Sequence, residues 1–451
     1  MAGVRQGENL SPLLFAMFLH DLEDYLKNRY KGLQFLELSS LLYDDNIDLF
    51  LRLFVLLYAD DTIILAESAN DLQLAMDAME NYCNDNKLTI NTTKTKIMIF
   101  SRGKIRNKPT IYFNKCLLEV VFEYVYLGIT LSYNGRFTKA IKRLYDIANR
   151  AMFDLIKKGR SLFLSTDVML KLFDATVVPI LLYGSEVWAF SNIDLIEKLH
   201  LRFCKIILRV NKSTTSSMVY GELGRLPLIV NIKSRILNYW FKIVTCTENK
   251  LSVHLYNLML AISKNNIVES KWLQYVEQSL NNLGLSNIWS NQGKGIHQIW
   301  FKGYIKQLLH DQYLQNWFAS LNDSSKCLHY KTFKASFSFE PYLNALTHKM
   351  AGIYTKFRCR NHKLPIEKGC YANIPREQRL CTFCGTNTKQ IGDEYHYVMV
   401  CSHFADIRKS FVKKYYFAYP TYQKFAKLFN STGSELEKLC RFLANIMDSM
   451  D

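Results

Sequence analysis

The sequence predicts an α+β fold, a small domain of helices and short antiparallel strands joined to a long helical region. Three observations point there. Over the first 135 residues, short apolar runs broken by acidic or glycine turns alternate with helical spacing. From Thr138 onward the apolar spacing is helical with little interruption. Cysteine and histidine then gather at residues 381–401, which suits a small metal-held module.

The elements follow in order. Ser11-Pro12 before Leu13, Leu14, Phe15, Phe18 and Leu19 predicts a helix with proline in its first turn. Residues 54–58, a turn at Ala59-Asp60-Asp61, and residues 62–66 predict a β-hairpin. Leu72, Ala75, Met76 and Met79 place a helix over 71–82. Residues 96–100 and 124–131 predict single strands, the second with Gly128 inside it. Next comes a helix with Arg136, Lys139, Lys142, Arg143 and Arg150 on one face and Ile141, Leu144 and Ile147 on the other. Its basic side suits the phosphates of a duplex, and equally an ordinary solvated face. A last helix falls near residues 435–447. The six tryptophans are irregularly spaced and are expected in the core.

Composition narrows the class. A chain of 451 residues exceeds one ordinary core, so two or three domains are expected. No apolar run reaches the roughly 18 residues that span a bilayer. The longest candidate, residues 49–59, contains Arg52 and runs into Asp60 and Asp61. Eleven cysteines are too sparse for a disulfide scaffold and read as reduced intracellular thiols. The net charge of +17 is unevenly spread, with 15 acidic against 6 basic residues over 1–93 and 4 against 15 over 94–160. That order suits divalent cations beside a phosphate track, and also a plain basic surface.

Tyr58-Ala59-Asp60-Asp61 carries the sharpest chemistry. Adjacent carboxylates at the tip of an apolar hairpin are costly unless their charge is compensated, and hard divalent cations do that well. Asp-Asp is also a favourable turn pair in its own right. Cys381-Thr382-Phe383-Cys384 with His396 and Cys401 gives C-x2-C-x11-H-x4-C, four ligands suited to tetrahedral zinc. His403 competes with His396 for that role, and Gly385 offers the tight turn. Arg376, Arg379, Lys389, Arg408, Lys409, Lys413 and Lys414 around the cluster favour nucleic acid as partner.

In these motifs the chain resembles the reverse transcriptases of non-LTR (LINE-type) retrotransposons. Gly3-Val4-Arg5-Gln6-Gly7 with Leu10-Ser11-Pro12-Leu13-Leu14-Phe15 is similar to their motif B, and Leu56-Leu57-Tyr58-Ala59-Asp60-Asp61 to motif C. Leu88-Thr89-Ile90-Asn91 with Lys94, Thr95 and Lys96 resembles motif D, and Tyr126-Leu127-Gly128 motif E, the primer-grip hairpin. The likeness continues through residues 179–188 and 221–228, and Glu8-Asn9 departs from the family's commoner Asp-Pro.

The resemblance implies an RNA-directed DNA polymerase using Mg2+. Asp60 would be a direct ligand and Asp61 its acidic neighbour. Gly3, Arg5, Gln6 and Gly7 would form the turn under the templating base and incoming nucleotide, beside Tyr58. Lys94 or Lys96 would neutralise phosphate charge, or be solvated strand-end lysines. The CCHC cluster would hold Zn2+. The implied partners are an RNA template, a DNA primer and deoxynucleoside triphosphates, with no membrane, in an intracellular setting both nuclear and cytoplasmic. The implied layout is a partial palm over residues 1–135 and a helical thumb over 136–250. A helical connector follows over 251–375, and the zinc module with its terminal helix over 376–451.

Motif B begins at residue 3, so the family's motif A, which supplies another metal-binding aspartate, is not in the sequence. Asp44, Asp45 and Asp48 precede motif C, with nothing to set them opposite Asp60. The chain is therefore expected to be inactive alone, as a partial gene model, a 5′-truncated copy, or a fragment whose other half, carrying motif A, is encoded upstream. The alternatives are a catalytically dead nucleic-acid-binding protein or a nonfunctional retrotransposon relic.

Overall fold

The computed structural model describes residues 10–35, 51–53, 55–58, 61–101, 103, 105, 107–191, 193–248, 250–265, 267–384 and 389–450. The chain divides into two compact units, residues 1–140 with 243–274, and residues 141–242 with 275–451. It is a mixed α and β protein, with all its named strands in the first unit and helices dominating the second. No helix among the described residues is long and apolar enough to cross a membrane.

In the first unit, helices α1 (Ser11–Phe18) and α2 (Leu22–Lys27) precede strands β1 (Leu33–Phe35) and β2 (Leu51–Leu53), which pair antiparallel. Strands β3 (Val55–Tyr58) and β4 (Asp61–Ile64) form the expected hairpin, followed by α3 (Ala69–Asp85). Ser68 caps α3 by accepting from the Asp71 amide, which satisfies one orphan donor and fixes where the helix begins. The inward stripe Ala75, Met76, Met79, Tyr82 and Cys83 then packs on Leu22, Leu26, Ile97 and Phe113, the core of the unit. Two polar ties hold this packing. The Tyr82 hydroxyl donates to Asp21 at 2.6 Å, and the Lys31 amide donates to Asp71 at 2.8 Å.

The remaining strands are β5 (Lys96–Met98), β6 (Tyr112–Phe113), β7 (Cys116–Leu117), β8 (Glu119–Val121), β9 (Glu123–Tyr126) and β10 (Ile129–Ser132). β5 pairs with β8 in parallel, the one parallel pairing among the described strands. The run 124–131, expected as one strand, is instead the β9–β10 hairpin, with Tyr126 opposite Ile129. Leu127 and Gly128 both take positive φ, 46° and 80°, as a two-residue hairpin turn requires. Gly128 is therefore the turn. Asn114 and Lys115 do the same between β6 and β7, at 47° and 58°.

Helix α4 (Thr138–Ser161) opens the helical region. Ile141, Leu144, Ala148, Met152 and Ile156 are buried, while Lys142, Arg143, Arg150, Lys157 and Arg160 are exposed. Trp188, Trp240, Trp272 and Trp317 lie in the core as expected, but Trp300 is 52% exposed and stacks on Tyr304, at 4.6 Å between centroids.

Gly224 ends the helix Ser216–Leu223 with φ +55°, a left-handed cap that favours glycine. An added Cβ would strike the backbone of Ser338, 2.5 Å from its carbonyl carbon, and the Phe339 amide nitrogen. Backbone cannot swing aside as a side chain can. Gly224→Ala should cost about 2–4 kcal/mol, from left-handed strain plus overpacking. A urea titration checks it, and a midpoint unchanged from wild type would refute the clash.

Candidate functional site

The acidic hairpin is built by register. β3 and β4 pair from Val55 with Ile64 to Tyr58 with Asp61, leaving two residues between the strand ends. Asp61 is the first residue of β4 rather than part of the turn, because it pairs with Tyr58. Burial falls toward the tip: Val55, Leu56, Ile63 and Ile64 are half-buried, while Leu57, Tyr58, Asp61 and Thr62 are exposed. The apolar end anchors the hairpin and the polar end faces solvent, so Asp61 offers an accessible carboxylate. Tyr126, at the end of β9, lies within the field of this tip. Burial raises its hydroxyl pKa, and the Asp61 charge and Tyr58 raise it further. The end of β9 therefore lies close enough to the acidic hairpin to feel its charge.

Asp60 lies outside the described residues, as do Gly3, Arg5, Gln6, Gly7, Asp44, Asp45 and Asp48. Lys94 is exposed just before β5. Lys96 Nζ donates to Glu119 across the β5–β8 pair at 2.7 Å, so its charge is already engaged within the fold.

The second site is the cysteine–histidine cluster. A single bridge between Leu380 and Ile391, with the Cys381 amide donating to the Gln390 carbonyl at 2.8 Å, closes the loop carrying the first two cysteines. Gly385 lies outside the described residues. A wide π-type turn, His396–Val400, follows, and the Cys401 amide donates to the His396 carbonyl at 2.8 Å. These two devices bring Cys381, Cys384, His396 and Cys401 together, with all ligand atoms within 4.8 Å of one another. Cys381 and Cys401 Sγ atoms are 3.9 Å apart, Cys384 and Cys401 3.5 Å, and Cys384 Sγ lies 3.4 Å from His396 Nε2. Zn–S bonds of about 2.3 Å at tetrahedral angles set S···S edges near 3.8 Å, so the cage has the size of a zinc site. The His396 imidazole is held below its usual pKa by burial, which keeps its nitrogen free to bind a metal. His403 instead stacks flat on Phe383, 4.2 Å between centroids, and takes no part.

The supports of this cluster escaped the sequence reading. Asp393 Oδ1 accepts from the His396 amide at 2.9 Å, a cap three residues ahead that the spacing could have revealed. Asp393 Oδ2 lies 3.1 Å from His329 Nε2, and Glu394 Oε1 lies 2.9 Å from His362 Nε2. Burial works against the Glu394 charge, but His362 outweighs it and the carboxyl sits at about 2. Arg408 corrects an expectation. It is buried and donates to the carbonyls of Val398, Tyr397 and Cys401 at 2.7, 3.2 and 2.8 Å, so it braces the metal loop and is not a phosphate contact. Arg379 is likewise spent on the Ile374 and Ile366 carbonyls, and Arg376 on Asp393. Lys389, Lys409, Lys413 and Lys414 remain exposed.

The chain is similar to known proteins over part of its length. Residues 1–131 match the family model described as reverse transcriptase (RNA-dependent DNA polymerase). The chain is 30% identical over 139 residues to an uncharacterised transposon-derived protein of Caenorhabditis elegans, covering 30% of this chain and 48% of that protein. It is 26% identical over 212 residues to the RNA-directed DNA polymerase from mobile element jockey of Drosophila funebris, covering 47% of this chain and 22% of that protein. The Drosophila melanogaster counterpart is 24% identical over 219 residues, with the same coverage of 47% and 22%. The matched part thus spans less than half the length of each relative. Over residues 1–131 the chain is therefore similar to the reverse transcriptases. The polymerases it resembles outside that model come from mobile elements.

Proposed function

We propose that this chain is part of an RNA-directed DNA polymerase, in which Asp60 and Asp61 hold Mg2+ for nucleotidyl transfer onto a DNA primer paired with an RNA template. The observation that supports the reading is the β3–β4 register, which sets Asp61 at the exposed end of an anchored hairpin. Hard carboxylate oxygens fit magnesium, and Asp61 is exposed to receive it. When bound, the ions neutralise triphosphate charge and activate the primer 3′-hydroxyl. Gly3, Arg5, Gln6 and Gly7 then line the nascent base pair beside Tyr58. Lys94 meets phosphate, whereas Lys96 must first release Glu119. Cys381, Cys384, His396 and Cys401 hold Zn2+. Residues 1–135 act as partial palm, 136–250 as thumb, 251–375 as connector and 376–451 as zinc module. A further segment bearing another metal-binding aspartate completes the polymerase site.

Helix α4 supports the nucleic-acid side. At 100° per residue, Lys139, Lys142, Arg143, Arg150, Lys157 and Arg160 fall within roughly one third of the circumference, along a helix about 36 Å long. Its opposite face is the buried one. This stripe also favours a second reading, nucleic-acid binding without chemistry, since it needs no metal.

Primer extension and hybrid binding separate the two. The 451-residue chain should bind an RNA·DNA hybrid with steep salt dependence and extend the primer only in trace. Lys142→Glu, Arg150→Glu and Lys157→Glu together should weaken hybrid binding at least tenfold and lower the salt slope by roughly 3. Robust extension that vanishes in Asp60→Ala would establish catalysis by this chain alone and remove the second reading. Absence of hybrid binding would sink the polymerase proposal.

A further inference from the structure

Helix α4 ends on two side chains that the fold does not bury. Leu162 and Phe163 are 68% and 81% exposed, the most exposed leucine and phenylalanine among the described residues. Exposed apolar residues are ordinary on their own, but the backbone sets this pair apart. Phe163 takes φ +52°, the one aromatic residue at positive φ among the described residues. Its amide donates to the Arg160 carbonyl at 3.3 Å, and the Leu164 amide to the Gly159 carbonyl at 2.9 Å. These two bonds make the left-handed helix end at which glycine is the usual occupant. Here the position carries a bulky ring in a strained conformation, and no burial offsets the strain. Strain kept at an exposed residue points to a use outside the fold.

The helix end is also held firmly. An added Cβ at Gly159 would lie 2.1 Å from Met169 Sδ, so the last turn of α4 sits tightly on the helix Thr166–Thr176. Ser165, just before that helix, donates from its hydroxyl to Asp167 at 2.6 Å. The apolar pair is therefore a projection between two anchored helices.

Charge indicates the occupant. Lys157, Lys158 and Arg160, in the last two turns of α4, are exposed and form no ion pair among the described residues. No acid lies between residues 155 and 166, and Asp167 already holds Lys171 at 3.6 Å. Two of these cations, Lys157 and Arg160, close the basic stripe of α4. A ligand that lays phosphates along the stripe therefore reaches the apolar pair at its end. Nucleic acid has both surfaces, phosphates outside and flat base faces within, and an apolar side chain inserted between two bases uses both.

We propose that Leu162 and Phe163 form an apolar wedge that enters a base step of the duplex held along α4 and opens the stack there. The proposal rests on the reading that α4 binds an RNA·DNA hybrid. A phosphate track alone lets a duplex slide, and a wedge at its end holds the hybrid in place. Stacking makes the contact without base-edge hydrogen bonds, so the wedge tolerates any sequence.

Hybrids that each carry one 2-aminopurine at a different position test it, because that base brightens when it loses its stacking neighbours. The full chain should brighten it on binding, and Phe163→Gly should abolish the rise. The same substitution should weaken hybrid binding by roughly fivefold or more, through loss of one stacked ring. It should leave the salt slope unchanged, since no charge is removed, whereas the α4 charge variants lower that slope. Its urea midpoint should rise, because glycine takes φ +52° without strain, so weaker binding cannot come from misfolding. Phe163→Tyr should keep the brightening. Hybrid bound by wild type with no brightening at any position would overturn the wedge and leave the α4 reading standing, as would equal brightening by Phe163→Gly. Absence of hybrid binding by wild type would overturn both. Phosphatidylserine vesicles bound by wild type but not by Phe163→Gly, at equal hybrid affinity, would assign the pair to a membrane surface and overturn the wedge as well.

Discussion

Arg358→Ala is expected to destabilise the second unit by about 3–5 kcal/mol, because it strands a buried carboxylate. The Arg358 and Glu222 side chains are 1% and 0% exposed. Arg358 Nε and Nη2 each donate to Glu222 at 2.9 Å, a bidentate pair. Nη2 also lies 3.1 Å from Glu340, and Nη1 donates to the Phe429 carbonyl at 3.1 Å. Phe333, Tyr342 and Tyr354 ring the guanidinium at 4.5, 5.3 and 5.5 Å. The Tyr342 hydroxyl donates to Glu222 as well, so the carboxylate is fully served only while every partner is present. Without Arg358, Glu340 keeps Lys334 but Glu222 is left with neutral tyrosine hydroxyls in a dry interior.

The sign of the double variant is the sharper test. Glu222→Leu with Arg358→Met removes both charges and fills similar volume, so it should cost less than Arg358→Ala alone. Five of the six tryptophans lie in the second unit, so fluorescence during urea unfolding reports mainly on it. Additive losses in the double variant would show that the pair is not the coupled unit its geometry implies.

Gly221-Glu222-Leu223-Gly224 stood out in the sequence only through a resemblance, and its physical role depends on residues more than a hundred positions away. That is the general boundary of what could be read. Helix α3 was legible because its stripe and its Ser68 cap are local. The acidic hairpin was legible because two apolar runs flank two acids. Periodicity read the β9–β10 hairpin as one strand, and only the resemblance implied a hairpin there, because Leu127 takes a left-handed conformation that a branched apolar residue seldom adopts. The parallel β5–β8 pairing joins segments over twenty residues apart and leaves no periodic trace. Arg408 read as a surface cation because its charge is visible in sequence and the three carbonyls it serves are not. The four cage residues were legible by spacing, and Asp393 could have been as a cap, while His329 and His362 were not, being drawn from separate segments.

That cage carries the other large effect. Cys401 is fully buried and its sulfur faces both other thiols, so Cys401→Ser should lower bound zinc from about one per chain to below about a tenth. Apparent zinc binding in small fingers reaches about 10–16 kcal/mol, which is an upper bound here because Arg408 and buried Tyr397 and Phe404 also hold the loop. The loss should therefore be local. Hydrogen exchange should rise over residues 380–428, while the helix Ser216–Leu223 keeps its protection. Two further variants separate the ligands from their neighbours. His396→Cys keeps four ligands and should retain zinc, and His403→Ala removes only the ring stacked on Phe383 and should retain it as well. Elemental analysis of the purified variants decides the matter. If Cys401→Ser and Cys384→Ser both hold zinc as wild type does, the cage is a cluster of thiols packed for burial, and the metal has no place in it.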